Sequence, residues 1–140
     1  MDPARITGGE LLAALGGLVV LFDLFALDWF SAASTGGGEL GGWASFGFPI
    51  DLLLFVGGLL PVGHAVLRAA GVIPGQPPAP RGQAVVAAGA VVTLLVVIRL
   101  ISPPGETDSE FGAVLALLGG LAIAAGGLLA IREHQAGKAR

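Results

Sequence analysis

Apolar positions in this chain come in four long runs, at about residues 11–30, 48–70, 84–102 and 111–131. An α-helix rises about 1.5 Å per residue, so about 20 apolar residues reach across a hydrocarbon core of about 30 Å. Each run therefore predicts a membrane-spanning helix. Three breaks separate the runs: SAASTGGGELGGWAS, IPGQPPAPRGQ and PPGETDSE. Their Gly and Pro content punctuates the chain at those points. The expected fold is all-α, a four-helix transmembrane bundle of up-down topology, with residues 1–140 forming one integral membrane domain.

Composition agrees with this pattern. Hydrophobic residues make up 54% of the chain and charged residues 12%. The charged share is about half that of an ordinary soluble domain. Seven basic and ten acidic side chains would cover the surface of a soluble fold of this size poorly. There are no cysteines, which excludes disulfides and thiol chemistry. The net charge is −3 and the basic residues are scattered, so nucleic acid is not an expected partner.

The placement of Lys and Arg predicts an orientation. Arg5 precedes the first run, Arg68 and Arg81 flank the second break, and Arg132, Lys138 and Arg140 follow the fourth run. The first and third breaks contain only acidic charges. Both termini and the middle loop are therefore expected in the cytoplasm, with the protein in the plasma or inner membrane of the cell. Arg99, near the outer end of the third run, is the exception. Trp29, Phe30, Trp43, Phe46 and Phe48 fall near the outer boundary, where an aromatic belt is expected. The first run reads as a retained span rather than a cleaved signal: it is long, contains Asp23, and follows a segment with one Arg against Asp2 and Glu10.

Two patterns concern packing. In the fourth run Gly112, Ala116, Gly120 and Ala124 form a small-residue ladder, which lets another helix approach closely. The partner is either a neighbour in the same bundle or a second chain. In the second run Gly57, Pro61, His64 and Arg68 share a face. Pro61 removes a helical hydrogen bond and crowds the carbonyl of Gly57, so a kink is expected there. His64 either bonds a freed carbonyl or the interface, or serves as a titrating group in a cavity. A lone His is not a metal site.

The charges inside the runs carry the chemical question. Asp23 lies about 4 Å beyond its helix midpoint, Arg99 about 9 Å and Asp51 about 13 Å, all toward the outer side. A charge at mid-membrane costs about 2.5–3.5 kcal/mol, so a partner or water is expected. Arg99 can reach Asp23 or Asp51. The expected intramembrane cluster is Asp23, Asp51 and Arg99, with Asp23–Arg99 the favoured pair. Three readings are open: a structural ion pair fixing helix rotation, the lining of a polar path, or a protonated Asp23 that faces lipid.

Trp29-Phe30 closing the first run, Trp43-x-x-Phe46 with Asp51 opening the second, and Arg99-x-x-x-Pro-Pro-Gly closing the third together resemble a group of small actinobacterial four-helix membrane proteins of unknown function. The likeness covers most of the chain. It implies a topology and an outer-leaflet cluster of Trp29, Trp43, Asp51 and Arg99, and no activity. In that group Pro often precedes the first Trp; here the residue is Asp28. Small multidrug exporters carry a central Glu in their first helix, whereas here Glu10 lies at the edge and Asp23 is the central acid.

There is no Ser/His/Asp set, no phosphate-cradling Gly loop opening a helix, and no metal-ligand spacing. No catalytic residue, metal or cofactor is expected. The sequence predicts a non-enzymatic, structural or accessory membrane protein. Its expected partners are the lipid bilayer and either further copies of itself or a larger membrane assembly. The alternative is a small transporter or channel using Asp23, Arg99 and His64.

Overall fold

A computed structural model describes residues 2–31, 40–41, 46–73, 79–103, 108–109 and 111–138. Trp43 lies outside the described residues. The described residues form four α-helices, α1 (Gly8–Ala26), α2 (Ile50–Ala69), α3 (Ala79–Ile101) and α4 (Phe111–Lys138), preceded by a short 3-10 turn at Pro3–Arg5. Each is long and apolar enough to cross a membrane.

The helix ends follow local chemistry. Thr7 caps α1 through a reciprocal box with Glu10. At the end of α2, Gly71 adopts φ +74°, which a side chain would strain. Its N–H donates to the Arg68 carbonyl, and Val72 N–H donates to the Leu67 carbonyl at 3.0 Å. These two bonds form a Schellman ending and turn the chain back along α2. The helix is continuous through Pro61.

Helix α1 stops at Ala26, four residues short of its apolar run. Leu27 turns extended, and β1 (Asp28–Ser31) begins at the next residue. Strand β1 pairs antiparallel with β2 (Leu40–Gly41) on one side and β3 (Asp108–Ser109) on the other. This small sheet was not expected from an all-helical pattern. Strand β1 packs on α4. Helix α4 runs seven residues past its apolar run, to Lys138.

Sequential helices pack antiparallel. Glu10 of α1 meets Arg68 of α2, while Gly17 meets Gly58 and Pro61. Gly82 of α3 meets Ile131 of α4, and Gly89 meets Ala124. The α1–α4 contact is also antiparallel: Gly9 lies against Gly126 and Ala130, and Gly16 against Gly119 and Ile123. A Cβ on Gly16 would stand 2.7 Å from the Gly119 carbonyl oxygen. Glycine is required at that crossing because backbones touch there without side chains between them.

The resulting polarity is inverted relative to a water-soluble bundle. Phe22, Phe25, Leu94 and Leu118 are all more than half exposed. Gly, Ala and Val fill much of the interior, together with Glu10, Asp23, Asp51 and Arg68. A continuous apolar exterior of this extent is what lipid would cover.

The small-residue ladder of α4 is used within the bundle. Gly120 and Ala124 face α3, Ala116 is fully buried, and Gly112 lies beneath β1. A separate set on the same helix, Gly119 and Gly126, faces α1. Helix α4 therefore presents small residues to two neighbours at once.

Candidate functional site

Among the described residues the densest polar cluster sits where α1 begins and α2 ends. The capping box aims the Glu10 side chain back across the helix terminus. Its Oε2 accepts from Thr7 N–H at 2.8 Å, and Thr7 Oγ1 accepts from Glu10 N–H at 3.2 Å. That leaves Oε1 to face α2. Arg68 Nε lies 3.1 Å from it and His64 Nε2 lies 3.2 Å from it. His64 and Arg68 are four residues apart and so share a helix face. Arg68 also donates through Nη2 to the Arg5 carbonyl at 2.9 Å. Its side chain and that of Glu10 are each only 5% exposed.

Electrostatics favours this arrangement. Antiparallel packing brings the N-terminus of α1 beside the C-terminus of α2. The carboxylate stands at the positive end of one helix dipole and the guanidinium at the negative end of the other. A second carboxylate joins from α4: Glu133 Oε2 accepts the Gly9 N–H at 3.0 Å. Asp2 N–H donates to the Ala69 carbonyl at 2.9 Å, fastening the N-terminal segment to the same place. One compact polar node thus ties α1, α2, α4 and the N-terminal segment together.

His64 meets a carboxylate here, not a carbonyl freed by Pro61. Sequence reasoning treated Glu10 and Arg68 as edge charges and missed their pairing. The available signal was depth: an antiparallel α1–α2 hairpin places Glu10 level with His64 and Arg68.

The outer charges do not gather as expected. Asp23 is fully buried, and neither carboxylate oxygen has a hydrogen-bond partner among the described residues. The Trp29 indole N–H likewise has no hydrogen-bond partner among the described residues. Arg99 instead stacks over the Phe46 ring, its guanidinium carbon 4.7 Å from the ring centre. Asp51 Oδ1 accepts the Phe46 N–H at 3.3 Å. Phe46 is therefore contacted by both Asp51 and Arg99, and among the described residues no Asp23–Arg99 ion pair is present. Asp23 is carried on the buried face of α1, whereas Arg99 follows the α3 face that meets Phe46.

Trp29 also departs from the expected belt. It and Phe30 are completely buried, while Phe48 is 80% exposed. The early end of α1 explains this, because β1 folds the two aromatic residues over the bundle end. Gly112 makes the space: a Cβ there would lie 2.5 Å from the Asp28 carbonyl oxygen and 2.9 Å from Trp29 Cδ1.

Chemically, the Glu10 node can hold helices in register and carry charge inside the fold. Among the described residues no group of three or more His, Cys, Asp or Glu side chains is placed to hold a metal ion. No family model matches this chain, and no match is found among curated proteins or solved structures.

Proposed function

We propose that the protein is a non-enzymatic multi-pass membrane protein of structural or accessory character, which packs with copies of itself or with a larger membrane assembly. Its four helices cross the cell membrane in up-down order, with both termini and the α2–α3 loop in the cytoplasm. The observation that carries this reading is the Glu10–Arg68–His64 node inside an apolar exterior. Its buried charges are spent on holding helices together. The orientation draws on the Lys and Arg asymmetry of the sequence. The shared location of the N-terminal segment, the end of α2 and Glu133 of α4 supports an even number of crossings.

The runner-up, a transporter or channel, draws on the unbonded carboxylate of Asp23. Against it, His64 is engaged by Glu10, and Glu10 lies about 20 Å from Asp23 along α1.

The test is single-cysteine labelling in intact cells, which is direct because the chain has no cysteine of its own. Ser34→Cys should react with a membrane-impermeant maleimide in intact cells. Gln135→Cys should react only after permeabilisation. The reverse pattern would overturn the orientation, and labelling of both in intact cells would overturn the four-span reading.

A further inference from the structure

The α2–α3 seam is the least intimate of the four neighbouring helix contacts. A groove of about 470 Å³ opens along it, a volume within the roughly 300–1,000 Å³ of small-molecule sites. Val56, Leu60, Gly63 and Leu67 of α2, Ile73 beyond it and Ala84 of α3 line this groove. His64 supplies a wall shared with the Glu10 node. A Cβ on Gly63 would meet nothing within 4 Å, so the space beside it is open. From Val56 to Leu67 the groove follows α2 for about 16 Å, close to half of a hydrocarbon core of about 30 Å. The site therefore matches the depth of one leaflet.

A cation lies in the turn that follows the end of the groove. The Schellman turn folds Gly71, Val72 and Ile73 back onto α2, which places Ile73 in the groove wall. Arg5 packs its guanidinium against Gly71, two residues away. Its side chain is 58% exposed, and its Nε lies 3.6 Å from the half-exposed Asp2 carboxylate. Guanidinium is suited to phosphate, which it can hold through two parallel N–H donors. An apolar groove of leaflet depth with a guanidinium in the turn beyond its end is complementary to a molecule with an acyl chain and a phosphate.

We propose that the α2–α3 groove is a phospholipid site, seating one acyl chain between Val56 and Leu67 with the lipid phosphodiester at Arg5. This inference rests on the membrane reading above.

The test uses the full chain in detergent with added phosphatidylglycerol, read by native mass spectrometry, with dioleoylglycerol as a probe that has the chains but no phosphate. The expected result is one retained phosphatidylglycerol per chain. Gly63→Phe and, independently, Ala84→Leu should each reduce that adduct at least tenfold by filling the groove. Arg5→Gln should also weaken phosphatidylglycerol binding about tenfold, the scale of a lost charge-assisted contact, and leave dioleoylglycerol binding unchanged. Retention equal to wild type in both groove-filling variants would overturn the site. So would the finding that the wild-type chain is a dimer which those variants turn into a monomer, because the groove would then seat a second copy. Flotation with phosphatidylglycerol vesicles separates the two readings. Failure of the wild-type chain to float would sink the membrane reading itself. Flotation combined with undiminished lipid binding by the filled-groove variants would sink this inference alone.

Discussion

Replacing Arg68 with leucine keeps much of the side chain's apolar volume and removes the guanidinium 3.1 Å from Glu10 Oε1. Stranding one charge of a buried pair costs about 3–5 kcal/mol. Here the loss should fall at or below the bottom of that range, about 2–3 kcal/mol, because Glu10 keeps His64 at 3.2 Å and Thr7 N–H at 2.8 Å. Glu10→Gln strands Arg68 instead, which retains the Arg5 carbonyl at 2.9 Å, so a similar cost is expected. In the double variant neither charge is stranded. The double variant's loss should then fall short of the sum of the two single losses by about 1–3 kcal/mol. Glu10→Ala adds a control, since it also removes the side-chain acceptor of the capping box, which glutamine retains. It should cost about 1 kcal/mol more than Glu10→Gln. The measurement is reversible unfolding in mixed dodecyl maltoside and dodecyl sulfate micelles, followed by far-ultraviolet circular dichroism. Additivity of Glu10→Gln and Arg68→Leu within about 0.5 kcal/mol would show that the node does not bind α1 to α2.

Two further predictions use the same unfolding titration. Gly120→Leu should cost about 1–3 kcal/mol or more, because its Cβ would stand 2.7 Å from Thr93 Oγ1 and 3.0 Å from Thr93 N; Gly63→Leu, entering open space, should change stability by less than about 1 kcal/mol, and equal losses would refute the assigned packing. Asp23→Asn and Arg99→Gln should be additive within about 0.5 kcal/mol, whereas Arg99→Gln and Phe46→Leu should couple by about 0.5–2 kcal/mol through the lost cation–π contact; strong Asp23–Arg99 coupling would restore the ion pair that the fold does not form.

Much of the architecture is legible in the chain alone because the relevant quantity is local. A run of about 20 apolar residues matches a bilayer whatever its neighbours are, and Gly and Pro clusters break it wherever they occur. Four spanning-length helices therefore follow from residues 11–30, 48–70, 84–102 and 111–131 read separately. The small residues at Gly120 and Ala124 likewise mark a close helix approach without naming the partner. Tertiary structure decides the rest, through helix rotation and neighbour identity. Glu10 and Arg68 are 58 positions apart and look like two edge charges until antiparallel packing brings opposite helix ends together. Asp23 and Arg99 have compatible depths, but α3 turns the arginine toward Phe46. Trp29 lies where an interfacial tryptophan would be expected, yet it is buried because α1 ends early and Gly112 leaves room beneath β1. Depth along a helix can be counted from sequence at about 1.5 Å per residue; direction around its axis is set by the side chains packed on every face, and those come from distant parts of the chain.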